Sequence, residues 1–245
     1  MEEREELFGH PKGLYILFMV EIWERFSYYG MRALLALFVA APLIGINPGY
    51  GWDNERTLAF YGWYTMLVYL SSIPGGILAD KYIGQKKSVM IGGILLVIGH
   101  SILAIDAQWA FFTGLAFIII GVGGLKANIS SMVGGLYKQG DSRRDKGFYI
   151  FYIGINIGAF FGALATGYMA VKYGWHYGFG LAGLGMIFGQ VVFMWGGKYL
   201  KGVGEAPAVN TNDDSETTSF GELLSNLMKS PKQLGITLVL MIVSV

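Results

Sequence analysis

Six long apolar segments constrain this chain more than any other feature. They run over residues 14–41, 58–79, 88–105, 109–136, 147–171 and 178–198. Each is close to the ~20 residues that cross a hydrocarbon core at ~1.5 Å per residue. Charge is scarce to match, at 14% of residues, against about 25% in soluble domains. The pattern predicts an all-α membrane protein with a bundle of six transmembrane helices. The first segment is not a cleaved signal, because Glu21, Glu24, Arg25 and Arg32 interrupt it. A seventh apolar run occupies 233–245 and is too short to span.

The distribution of Lys and Arg sets the orientation. Arg4, Lys12, Lys81, Lys86, Lys87, Lys138, Arg143, Arg144, Lys146, Lys198, Lys201, Lys229 and Lys232 fall at one set of ends and loops. The alternate set holds only Arg56 and Lys172. The positive-inside rule therefore places the N-terminus in the cytoplasm, with the protein multi-pass in the cell membrane. Residues 1–200 form the bundle. Residues 201–232 read as a cytoplasmic linker, polar from Glu205 to Glu222, with a weak helical pattern from Ser219 to Lys229.

Several function classes drop out. With no Cys and a net charge of +1, the chain is neither a disulfide scaffold nor a nucleic-acid binder. The three His lack metal-ligand spacing, so no metal site is expected, and each reads as an interfacial or capped His. No nucleophile stands with a base, so no enzyme activity is expected. Gly154, Gly158 and Gly162, and likewise Gly185 and Gly189, read as small-residue packing ridges.

Glu21, Glu24, Arg25, Arg32 and Lys126 lie inside spans. Each costs roughly 2.5–3.5 kcal/mol at the membrane centre unless it pairs or faces a polar cavity. At about 100° per residue, Glu21, Glu24, Arg25, Tyr28, Tyr29 and Arg32 share one stripe about 140° wide and ~16 Å long. That stripe reads as the wall of a water-accessible cavity. Glu21 and Arg25 are i,i+4 neighbours. Lys126 is expected to find its complement in Glu21 or Glu24. Asn128 points away from Lys126 and reads as a packing hydrogen bond, while Asn156 is open between interhelical bond and ligand contact. Internal salt bridges that merely hold the bundle are the bland alternative. The functional reading is a carboxylate cluster whose protonation changes as its cationic partner moves.

The segment Glu21-Ile-Trp-Glu24-Arg25-Phe26-Ser27-Tyr28-Tyr29-Gly30 resembles the E-x-x-E-R-F-x-Y-Y-G motif of the proton-dependent oligopeptide transporter (POT, or PTR2) family. Three further segments are similar in the expected order. They are Gly75 to Asp80 with Gly84, Gly124 to Ser130, and Phe151 to Gly158 with its F-Y-x-x-I-N-x-G pattern. The resemblance covers about residues 8–200. One departure is Ala127, where the family usually has Pro.

The resemblance implies the N-terminal six-helix bundle of a major facilitator fold, with the start of a seventh helix. It implies proton-coupled symport of di- and tripeptides by alternating access, with the proton as coupling ion and no other cofactor. Glu21, Glu24, Arg25 and Lys126 match the proton-coupling residues. Arg32, Tyr28, Tyr29, Tyr69, Lys126 and Asn156 match peptide-binding ones, the cations meeting the peptide's carboxylate. Asp80, Arg143 and Arg144 match gate or cytoplasmic-loop groups, or are ordinary positive-inside loops. The implied partners are peptides, protons, the bilayer and a C-terminal six-helix bundle. Nitrate or another small anion is the alternative cargo, and a non-transporting half-bundle that binds a second chain is the alternative role. The expectation is a partial transporter that does not transport by itself.

Overall fold

A computed structural model describes residues 5–207. The linker beyond 207 and the run at 233–245 lie outside the described residues. Six long helices carry the fold. They are α1 (Lys12–Ala40), α2 (Asn54–Leu78), α3 (Gln85–Leu103), α4 (Gln108–Gly135), α5 (Arg144–Tyr173) and α6 (Trp175–Gly196). A two-residue antiparallel pair, β1 (Glu6–Leu7) with β2 (His10–Pro11), precedes them. A π turn over Ala79–Ile83 ends α2, and a 3-10 turn over Gly197–Leu200 follows α6.

Local sequence explains the breaks. Asp53 caps α2 by accepting from the Arg56 amide at 2.8 Å. Gly84 and Gly174 adopt positive φ of 82° and 116° at the α2–α3 and α5–α6 corners. Glycine reaches such angles without a Cβ penalty. The α5–α6 corner is further held by Asn47, whose Nδ2 donates to the Ala170 carbonyl at 3.0 Å.

Packing forms a chain of neighbours. α1 lies against α5 and α6, α4 against α2 and α3, and α3 against α6 closes the two groups together. α1 touches α2 and α4 only lightly, and α4 and α5 likewise. The helices α1, α2, α4 and α5 therefore splay around a polar interior.

Bare glycine backbone sets the tightest approaches. A Cβ on Gly158 would strike the Ile22 carbonyl, and one on Gly162 the Phe26 carbonyl, so α5 rides directly on α1. Gly185 and Gly189 face Phe26 and Trp23 of the same helix. A second seam was not legible as a ridge. Gly92 and Gly99 of α3 oppose Gly121 and Gly114 of α4, each Cβ position within 2.8 Å of a carbonyl across the seam.

Among the described residues, four helices are long and apolar enough to cross a membrane: α3, α4, α5, and α6 with its extension to Leu200. α1 is longer than three of these at 29 residues. Its average hydropathy is lowered by charges that the fold turns inward.

One reading needs correction. His100 is neither interfacial nor capped. It is wholly buried on α3, and neither ring nitrogen has a hydrogen-bond partner among the described residues. By contrast, His176 Nε2 lies 2.9 Å from Asp106, and His10 Nδ1 lies 2.7 Å from the Tyr137 hydroxyl. The first residues after α6 pack on the bundle. Val203 is buried, and the Gly204 carbonyl accepts from the Lys86 amide at 2.8 Å.

Candidate functional site

The charged stripe of α1 faces the bundle interior. Glu21, Glu24 and Arg25 are 1%, 0% and 4% exposed. Such groups persist away from water only when paired. Arg25 supplies the pairing. Its Nε donates to Glu21 Oε1 at 2.6 Å and lies 3.0 Å from Glu24 Oε2. Only the first contact has the alignment of a hydrogen bond. Glu24 is an ion-pair partner by distance, yet neither of its oxygens accepts a hydrogen bond among the described residues. One guanidinium thus holds two carboxylates unequally.

Lys126 departs from expectation. Among the described residues no carboxylate lies within ion-pair distance of its Nζ, which sits 4.1 Å from the centre of the Tyr69 ring. The reason is geometric. Arg25 shares a helix with both carboxylates and reaches them at i,i+4 and i,i+1, whereas Lys126 must reach across from α4. The aromatic face takes up its charge instead.

One turn and more along α1, Arg32 is half-buried. Its Nε donates to the Tyr61 hydroxyl, and its guanidinium stacks 5.2 Å from that ring's centre. Tyr28 is buried and Tyr29 half-buried, their rings 5.4 Å apart edge to face. Asn156 is exposed on α5 and donates to the Tyr152 carbonyl at 3.0 Å. Asn128 is separate from these groups. Its Nδ2 donates to Gly124 at 2.8 Å and to Ser88 at 3.0 Å, tying α4 to α3.

The residues of the stripe therefore gather, and two tyrosines join them that sequence reading passed over. Tyr61 holds Arg32, and Tyr64 is buried near Tyr28 and Arg32. The signal was present as Thr57, Tyr61, Tyr64 and Val68 at helical spacing.

The loop groups lie elsewhere. Asp80 is exposed in the π turn and accepts from Gln85 at 3.2 Å. Arg143 binds Asp141 Oδ2 at 2.9 Å, Glu6 at 2.7 Å and the Gly9 carbonyl at 3.1 Å, clasping the β1–β2 hairpin to the α4–α5 loop. These hydrogen bonds hold the Asp141 carboxyl below its ordinary range and the Arg143 guanidinium above its own. Burial pushes the Tyr137 phenol up to about 12, so it meets His10 as a neutral hydroxyl. Arg144 instead stacks 5.8 Å from the Phe148 ring centre.

The geometry combines a buried carboxylate pair on one Arg with two further cations facing tyrosines. The profile of the POT family (PTR2) matches residues 86–217. The chain belongs to the POT family. It is 47% identical over 189 residues to the peptide transporter YePEPT of Yersinia enterocolitica, covering 76% of this chain and 37% of that protein. It is 42% identical over 215 residues to a di-/tripeptide transporter of Lactococcus lactis, covering 87% of this chain and 43% of that one. A crystal structure of a peptide transporter POT in complex with sulfate matches with TM-score 0.79 and 41% identity, over 98% of this chain and 47% of the other. A mutant of a peptide transporter POT in complex with alafosfalin matches with TM-score 0.80 and 42% identity, over 99% and 48%. The chain thus spans about half or less of the length of the POT proteins it matches. Family and apolar helices together make it an integral membrane protein.

Proposed function

We propose that this chain forms one bundle of a proton-coupled symporter of di- and tripeptides that works by alternating access with a second six-helix bundle. The observation that carries the reading is the unequal hold of Arg25 on Glu21 and Glu24. Glu24 is the carboxylate assigned to take the proton, because neither of its oxygens accepts a hydrogen bond among the described residues. Protonation frees Arg25 to bind Glu21 alone and changes the field at Lys126. The proton's effect on shape is then a differential preference for one state, which coupling requires.

Arg32 and Lys126 are the groups for the peptide's carboxylate. Two cations held by aromatic rings can turn toward an anion without first breaking an ion pair. Tyr29, Tyr69 and Asn156 offer hydroxyl and amide groups to the peptide backbone, which every short peptide carries, so side-chain preference is broad. In this reading α1 and α2 span the membrane with the other four helices. The Lys- and Arg-rich ends face the cytoplasm. Asp80, Arg143 and Arg144 lie at that side, where a gate between bundles closes.

The test is uptake of labelled dipeptide into liposomes holding the complete transporter, with an imposed pH gradient. Glu24→Gln is expected to abolish accumulation while leaving peptide exchange. Accumulation by Glu24→Gln at the wild-type level would refute the role of Glu24. Competition by nitrate but not by a second dipeptide would refute the peptide cargo.

A further inference from the structure

Between α1 and α2 lies a cluster of buried polar atoms that the carboxylate pair does not account for. Tyr28 and Tyr64 are 2% and 3% exposed, and neither hydroxyl has a hydrogen-bond partner among the described residues. The hydroxyls of Thr57 and Thr65 are in the same position, as are both oxygens of Glu24 and Oε2 of Glu21. A threonine in a helix can turn back on a carbonyl one turn earlier. A tyrosine hydroxyl, at the end of its ring, has no such local outlet. Tyr28 and Tyr64 are therefore the informative members.

Their placement is ordered. On α1, Glu24, Tyr28 and Arg32 follow one another at i,i+4, steps of about 6 Å along the axis. On α2, Thr57, Tyr61, Tyr64 and Thr65 share a stripe about 100° wide. The Tyr61–Arg32 hydrogen bond aligns the two stripes at one end. Tyr64 lies within electrostatic reach of Tyr28, Arg32, Tyr61 and Glu24, and Tyr28 within reach of Arg32, Tyr69, Glu24 and Arg25. Tyr61, Tyr64 and Tyr28 thus lie in the space between Arg32 and Glu24. One bridging water with two hydrogen bonds of ~2.8 Å spans nearly 6 Å, the axial step between Glu24, Tyr28 and Arg32 on α1. α1 and α2 meet only lightly along their length.

We infer that the α1–α2 seam is a binding site for a short file of water, held by the Tyr64 and Tyr28 hydroxyls, that carries protons between the Arg32–Tyr61 end and Glu24. Buried waters typically satisfy otherwise unpartnered polar groups in this way. Each hydroxyl accepts a proton from the water on one side and releases its own to the water on the other. The hydroxyl is restored, one proton has advanced, and the last water delivers it to a Glu24 oxygen. The charges facing the file are Glu21, Glu24, Arg25 and Arg32 of α1 and Lys126 of α4, with Tyr29 of α1 and the phenols of Tyr61 and Tyr69 on α2. Arg32 at the entry and Arg25 beside the exit repel a standing excess proton, so the file passes protons without storing them.

The water file is tested apart from transport, and its use in coupling rests on the proposed symport. X-ray radiolysis of the purified protein generates hydroxyl radicals from bound water. Tyr28 and Tyr64 are expected to be oxidised well above the equally buried Phe179 and Phe193. Oxidation at the rate of those two phenylalanines overturns the site. In the complete transporter, Tyr64→Phe is expected to lower pH-driven uptake about tenfold or more, the scale of a lost positioned proton donor. Peptide exchange at equal pH should stay within about twofold, a control on folding. Tyr64→His, which restores a donor and an acceptor, should recover part of the driven uptake. An equal loss in both assays, or no loss in either, overturns the relay. A wild type indifferent to the pH gradient would instead overturn the proposed coupling, and radiolysis would still decide the water site.

Discussion

At the scale of residues, the central fact is that one guanidinium serves two buried carboxylates. Removing it leaves both charges uncompensated, which costs about 3–5 kcal/mol for a buried pair. Arg25→Met is therefore expected to lower thermal stability in detergent sharply. Adding Glu21→Gln and Glu24→Gln to that variant should restore most of the loss, because the charges needing a partner are then gone. A triple variant as unstable as Arg25→Met would show that Arg25 acts by packing. Tyr61 offers a second test. It orients Arg32 through one hydrogen bond to a charged group, worth about 1.5–3 kcal/mol where buried. Tyr61→Phe in the complete transporter is expected to raise the peptide KM about tenfold with kcat little changed. The charge stripe, Tyr28, Tyr29 and Arg32 were legible at helical spacing. Tyr61 and Tyr64 were not, because a Tyr in an apolar run looks the same whether it faces lipid or an Arg.

At the scale of elements, neighbouring glycines have opposite roles. A Cβ on Gly75 would strike the Gly123 carbonyl, whereas one on Gly76 meets nothing within 4 Å. Gly75→Ala is expected to destabilise by about 1–3 kcal/mol as α2 is pushed from α4. Gly76→Ala should be neutral or stabilising by up to about 1 kcal/mol, from helix propensity. Thermal unfolding of the two variants side by side checks this. The hairpin clasp carries a pH dependence. Asp141 is held below its ordinary range by Arg143, so its contribution is present above the unfolded carboxylate pKa. It is lost only as pH falls through the lowered folded value. A spin label at Phe8 should thus show constant mobility from about pH 7 to 5 and loosen only below the usual carboxylate pKa of about 4. Loosening between about pH 7 and 6 would overturn the assignment of the clasp to Asp141. Helix positions were legible because apolar runs and the corner glycines mark them. The α3–α4 glycine seam was not, since which glycines face each other depends on the rotation of both helices.

At the scale of the whole molecule, α5 presents Tyr149, Tyr152, Ile153 and Phe160 as exposed large side chains beside Asn156. In the proposed transporter this face meets the second bundle or lines the path between the two. Residues 1–245 reconstituted alone are therefore expected to give no pH-driven peptide uptake above empty liposomes. Uptake by that stretch would overturn the two-bundle reading. The same scale explains why α1 does not stand out as apolar among the described helices. Hydropathy averages a helix around its axis, while the fold turns the charges of α1 inward and leaves an apolar outer face.

What the sequence determined by itself is the class of fold, the helices and the sharing of one α1 face by Glu21, Glu24, Arg25, Tyr28 and Arg32. Those follow from local periodicity, and the motifs pointed to the family before any helix was placed. Only the tertiary structure decided who pairs with whom. Across helices it set Lys126 on Tyr69 and Arg32 on Tyr61, and brought Tyr64 beside Tyr28. Pairing across helices depends on their separation and rotation to within an ångström or so. Electrostatics and hydrogen bonding fall off over that distance, whereas the hydrophobic pattern that places helices in a membrane does not.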